Sequence, residues 1–189
     1  MDITTSLYTG KLIRLTRIEL DKDPETLAEW SQEASLMRML DQTPARPLAP
    51  EQIKKLLEKV EKEMDEKHEM FYFHIRPLEG ERLIGWGKIY WILWPSQIAN
   101  IELAIGPSEQ NKGYGADAFR LFLRLAFDEL NLNRLTVRLP EYNIRGIDFV
   151  KKFGFSEEVR RREVILRDGR RWDSLLLGLL RSEWSVNHE

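Results

Sequence analysis

The chain contains no cysteine, so neither a disulfide framework nor a catalytic thiol is available to it, which fits a cytoplasmic protein. No apolar run is long enough to cross a bilayer, and no membrane association is expected. Neither sign of charge is in surplus. Lys and Arg total 29, Asp and Glu 31, for a net charge of -2, so the basic excess of a general nucleic-acid binder is missing. The three histidines form no metal-ligand spacing with acidic residues, and no Ser-His-Asp pattern stands out, so no metal is expected. Met1 to Thr9 lacks the basic start and apolar stretch of a signal peptide. Repeats, low-complexity tracts and linkers are also absent, so residues 1–189 are expected to form one domain.

What is present is regular patterning. Lys11 to Thr16 alternates as a first strand, and Pro24 to about Met39 reads as helix broken near Ser31 to Ser35. Gln42 to Pro50 carries three prolines and reads as a loop. Glu51 to Lys67 is an amphipathic helix with Ile53, Leu56, Leu57, Val60 and Met64 on its apolar stripe. Three strands are expected next, at Met70 to Arg76, Arg82 to Trp91 and Gln97 to Ile105, arranged as an antiparallel meander. A long helix, Gly113 to about Leu130, then leads to a strand at Arg134 to Leu139 that runs parallel to its predecessor. A shorter helix, Ile144 to Phe153, ends at Gly154, and a hairpin turns at Asp168-Gly169 between Phe155 to Leu166 and Arg171 to Leu180. The order predicts an α/β fold with a single mixed, mostly antiparallel sheet and helices on both faces.

The most informative stretch is Gln110-Asn111-Lys112-Gly113-Tyr114-Gly115, between a strand and a long helix. The first N–H groups of a helix have no intrahelical partner and lie at the positive end of its dipole, so a glycine-punctuated turn there suits an anion. With Ala116 these residues resemble the Q/R-x-x-G-x-G/A signature of the GNAT superfamily of acyl-CoA-dependent N-acyltransferases. Asn143-Ile144-Arg145-Gly146-Ile147, followed by Lys152-Phe153-Gly154-Phe155, resembles the family's second signature. The hairpin Arg167 to Asp173 and the closing Glu183-Trp184 are similar to the branch holding ribosomal-protein N-terminal and spermidine acetyltransferases.

The resemblance implies the GNAT fold and acetyl-CoA as cofactor. Its pyrophosphate would sit on the N–H groups from Asn111 to Ala116, with Gln110 in the same signature and Lys112 adding charge. Its pantetheine arm would run along Leu103, Ala104 and Ile105, in a gap between that strand and the next. Asn143 would touch pantetheine, with Arg145, Phe149 and Lys152 near the distal part. Simpler roles stand beside these. Asn143 can cap the helix at Ile144, Lys151 and Lys152 can be a wet helix face, and Phe149 can be core.

For transfer to an amine, Glu102 is the candidate base and the backbone N–H of Leu103 the candidate donor to the developing oxyanion. Glu102 can equally be an ordinary strand glutamate in a salt bridge. The chain departs from the family at Val150, where many members carry a proton-donating tyrosine, and at Asn100, where close relatives carry glutamate. Tyr142 is the nearest phenol in sequence. His74 is a candidate to line a groove. The acceptor pocket is expected from the N-terminal helices, the 42–50 loop, the Tyr90-Trp91 strand and the last hairpin. Trp30, Tyr90, Trp91, Trp94 and Trp172 are its candidate aromatic walls, and Asp41 or Asp173 the ammonium holder. The expected acceptor is a small-molecule primary amine (a polyamine, amino acid or aminoglycoside) or a protein N-terminus. A homodimer is an open expectation, and a non-catalytic acyl-CoA sensor is the rival.

Overall fold

A computed structural model describes residues 6–40 and 45–186. Seven strands form one sheet in the order β1-β2-β3-β4-β5-β7-β6. β1 (Ile13–Thr16), β2 (Met70–Pro77), β3 (Gly85–Leu93) and β4 (Ile98–Ile105) are antiparallel neighbours. β5 (Arg134–Pro140) runs parallel to β4, and β7 (Arg170–Leu180) lies antiparallel between β5 and β6 (Ser156–Arg167). The expected fold class is therefore observed. No helix of the described residues is long and apolar enough to cross a membrane.

The sheet carries a different helix layer on each face. On one face lies α4 (Tyr114–Arg124), whose Phe119, Phe122 and Leu123 are buried among Ile89, Ile101 and Leu135. Phe122 fills the space left by Gly87, where an added Cβ would fall 2.5 Å from its ring. The helical path continues through a π-helical stretch, Leu125–Glu129, whose wider turn is closed by Leu130 N–H donating to Leu125 O at 2.9 Å. α5 (Ile144–Lys151) adds Ile147 and Val150 to the same core.

The other face is covered by α1 (Asp23–Ser31), α2 (Ala34–Leu40) and α3 (Pro50–Lys67). Ile18, Leu27, Ala28, Ile53, Leu57 and Leu83 form a second, smaller apolar cluster there, with Trp30, Tyr72 and Trp86 packed against it. The expected break after Ser31 separates α1 from α2. α6 (Arg181–Val186) closes the described chain.

Both boundaries of β3 differ from expectation. β3 begins at Gly85 rather than Arg82, and the Arg82 side chain turns out to Glu109, 3.4 Å away. It also runs past Trp91, where the register with β4 shifts between Tyr90 and Leu93 and Trp91 takes φ 56°, a bulge that turns the indole outward.

Candidate active site

β4 and β5 pair only from Ile98↔Arg134 to Asn100↔Thr136, after which they diverge. On the β3 side, Gly106 N–H donates to Ile84 O at 2.9 Å. Antiparallel ladders alternate, so Ala104 and Glu102 turn their main-chain groups toward β3, whereas Leu103, beyond the last pairing with β5, turns its own into the gap. The Ile105 carbonyl, on that same side, accepts a hydrogen bond from Gln110 Nε2 at 3.1 Å.

The glycine turn lies at the end of this gap. Asn111 and Gly113 both have positive φ, 63° and 86°. The first helical bond of α4 is Asp117 N–H to Gly113 O, at 3.1 Å. The N–H groups of Tyr114, Gly115 and Ala116 therefore have no acceptor within the helix, and no side chain caps it at Gly113. Residues 111–113 are exposed. The one acid in this first turn, Asp117, is buried and faces the other way. Its Oδ2 accepts from the N–H groups of Leu12 and Ile13, at 2.7 and 3.2 Å, and so anchors β1.

Arg145, exposed on α5, ties the two signatures together by donating to Gln110 Oε1 at 3.2 Å and to Asn111 Oδ1. Lys112 is not a free cation, since its ammonium lies 3.1 Å from Glu109. That Glu109 carboxyl is held below the usual range, because the Lys112 and Arg82 contacts outweigh its burial. Asn143 caps α5: its Oδ1 accepts from Gly146 N–H at 2.9 Å, and its amide donates to Met39 O at 3.2 Å. Phe149 packs against Phe119 and Phe153, with ring centres 5.3 and 5.1 Å apart. Lys152 is exposed.

Glu102 projects onto the face covered by α1 and α3, and its Oε2 sits 2.9 Å from Lys88 Nζ. Lys88 also lies 4.5 Å from the centre of the Tyr90 ring and 5.6 Å from that of Trp86. Val150 is buried in the core and brings no proton donor. The Tyr142 hydroxyl donates to Arg38 O at 2.9 Å, so this phenol is engaged with α2.

The aromatic residues expected around an acceptor do not converge. Trp91 is 60% exposed at the far end of β3, and Trp94 donates its indole N–H to His68 O nearby. Trp172 packs on Tyr142 and under Arg170. Asp173 accepts from Glu163 N–H and Arg160, which hold its carboxyl below the usual range, and is committed to the hairpin. Asp41 and the 41–44 part of the expected loop lie outside the described residues. Trp30 of the set lines a cavity, together with Tyr72 and Trp86, which periodicity did not single out.

His74 does not line a groove. It is fully buried, with Nδ1 2.5 Å from Asp23 Oδ2, and Arg76 donates to the same carboxylate at 2.7 and 2.9 Å. Burial alone would raise the Asp23 carboxyl, but these partners hold it below its ordinary value. Tyr72 OH lies 3.5 Å from His74 Nε2, and burial, reinforced by Glu102 and Asp23, raises that phenol so that it keeps its proton. Among the described residues no cluster of His, Asp and Glu is arranged to hold a metal ion.

The chain as a whole is similar to known proteins. Residues 13–156 match the family model of the acetyltransferase (GNAT) domain. The chain is 24% identical over 177 residues to the uncharacterized N-acetyltransferase YnaD of Bacillus subtilis, covering 94% of this chain and 98% of that one. Its fold matches that of a spermidine N-acetyltransferase from Vibrio cholerae solved with CoA and spermine. The TM-score is 0.78 at 19% identity, over 92% of this chain and 98% of the other. A putative ribosomal-protein-serine acetyltransferase from Vibrio cholerae matches with a TM-score of 0.73 at 17% identity, over 92% and 96% of the two chains.

Proposed function

The chain belongs to the GNAT acetyltransferase family, and on that premise we propose that it transfers the acetyl group of acetyl-CoA to a primary amine. The observation that carries the cofactor reading is the pairing of two features at one place. The edge of β4 at Leu103, past its last pairing with β5, is left open, and the bare N-terminus of α4 stands at its end.

The residues present fit the cofactor. The amides of Asn111 to Ala116 would receive its pyrophosphate, with Arg145 as a cation beside them, and the open edge of β4 at Leu103 would pair with its pantetheine arm as the arm runs past Ala104 and Ile105. Gln110 and Asn111 keep Arg145 aimed at the turn. Asn143, Phe149 and Lys152 would flank the rest, Asn143 through the shape of the helix it caps. When bound, the thioester supplies the acetyl group: a C–N bond forms as C–S breaks, the amine gives up a proton and the thiolate gains one.

The Leu103 N–H would hold the carbonyl oxygen. Glu102 would take the amine proton, reached through water, while Lys88 fixes its carboxylate in place. With Val150 in the core, the thiolate would be protonated by solvent.

Gly115→Asp tests the phosphate placement. A Cβ there meets only Ile105 Cγ1 at 3.4 Å, and an acidic residue in the first turn favours the helix, so the fold should persist. The same carboxylate would repel the pyrophosphate. Calorimetric titration with CoA should show micromolar binding by the unmodified protein and at least about tenfold weaker binding by the variant. No heat with the unmodified protein would refute the cofactor reading.

A further inference from the structure

Between the sheet and helices α1 to α3 lies a cavity of about 230 Å³. Its floor is the stacked pair Tyr72 and Trp86, ring centres 5.7 Å apart and 15° from parallel. Trp30, Met37, Leu40 and Val60 are among its walls, and no Asp, Glu, Lys or Arg of the described residues lines it. Two of its hydroxyl groups are already used. Ser31 Oγ donates to Ala28 O at 2.6 Å and accepts from Leu48 N–H at 2.8 Å. The Tyr72 phenol stays neutral and points to His74.

The cavity adjoins the proposed reaction centre. Trp86 is the cross-strand partner of Ala104, and Lys88 that of Glu102, so its floor is one strand spacing, about 4.8 Å, from β4 on the Glu102 face. Trp30 reaches the point where β4 ends: a Cβ on Gly106 would fall 2.4 Å from Trp30 Cζ2. A ligand in the cavity therefore has apolar surface around it and Glu102 on the strand next to its floor.

Charge narrows the ligand further. A polycation needs several unpaired carboxylates to hold its distal ammonium groups. Among the described residues, the carboxylates that reach this face, Glu102, Asp23 and Glu19, are already matched by Lys88, by His74 with Arg76, and by Arg76 with Lys22. A dry apolar cavity of roughly 150 Å³ holds a benzene ring, so this one has room for a ring with a short arm.

We propose that the cavity is the acceptor pocket and that the acceptor is a monoamine with a compact apolar body, one aromatic ring or a branched aliphatic chain, rather than a polyamine. This rests on the acetyltransferase reading above.

The test is thiol release from acetyl-CoA with 2-phenylethylamine, 3-methylbutylamine and spermidine as acceptors, alongside calorimetry with CoA. The expected kcat/KM for the better monoamine exceeds that for spermidine by at least about tenfold. Met37→Trp, which fills the cavity from half-buried α2, should lower the monoamine value at least about tenfold, mainly through KM, with CoA binding unchanged. Leu40→Trp should do the same, and retained CoA binding certifies that each variant is folded. Faster turnover of spermidine, or monoamine kinetics untouched by both variants, overturns the assignment while leaving the acetyltransferase reading intact. Absence of both CoA heat and thiol release with any amine overturns that reading and this assignment with it.

Discussion

In the proposed site, residues 111–116 would offer a ligand main-chain amides from one contiguous turn, whereas the opposite side is furnished by side chains from α1, β2, β3 and β4. The turn depends on backbone shape, set by positive φ at Asn111 and Gly113 and by the start of α4. The other side depends on particular functional groups held in register by strand pairing: Tyr72 beside Lys88 beside Glu102, and His74 beside Trp86 beside Ala104. Substitutions should therefore behave oppositely. Deleting a side chain near the turn should cost little, and deleting one across the sheet should cost much.

The largest effect is expected at Asp23. Removing its charge leaves Arg76, 1% exposed, and the fully buried His74 without their common partner. Asp23→Asn should destabilise the protein by about 3–5 kcal/mol in urea unfolding. The pH dependence has a definite sign. A carboxyl held low in the folded state is protonated more readily when unfolded, so its stabilisation is complete above the unfolded value near ~3.9 and is lost as pH falls below it. The unmodified protein should weaken steeply below about pH 4, and Asp23→Asn should flatten that acid limb. An equally steep limb in the variant would mean that other carboxylates carry it.

Next in size is Glu102→Gln. If the carboxylate accepts the amine proton, kcat should fall by roughly 10²-fold while KM for acetyl-CoA stays within about twofold, because the cofactor amides lie beyond Glu102 on β4. A change in KM for acetyl-CoA with kcat preserved would reduce Glu102 to the salt bridge with Lys88 seen in the structure.

The same contrast explains which parts were legible in the sequence. The glycine turn could be read because its physics is local: glycines, a helix start and a preceding strand within a few residues. The Asp168-Gly169 turn, the break after Ser31 and the cap at Asn143 are legible for the same reason. The buried Asp23–His74–Arg76 group was not, since its members lie 51 and 53 residues apart and meet only when α1 crosses β2. Asp117 holding β1 spans 105 residues and was equally hidden. Aromatic content drew attention to Trp91 and Trp94, but a bulge carries them away, while Tyr72 and Trp86 gain their role from β2–β3 register. Alternation on adjoining strands could have paired Tyr72 with Trp86, since both fall on the faces of their strands opposite Phe71, Phe73 and Ile89.

The smallest effect is expected at Lys112, and it is the sharpest check on the contrast. A lysine inside a turn proposed to bind phosphate invites the view that its charge holds the anion. Here the side chain is 48% exposed and its ammonium faces Glu109, which Arg82 also approaches. Each exposed pair of this kind contributes little, and its field at the turn is offset by the neighbouring carboxylate. Lys112→Ala should therefore weaken CoA binding by less than about threefold, with a modest loss of salt dependence, whereas Gly115→Asp in the same turn exceeds tenfold. If Lys112→Ala instead matched the glycine variant, side-chain charge rather than main-chain amides would dominate the turn, and the distinction between the two sides of the site would fail.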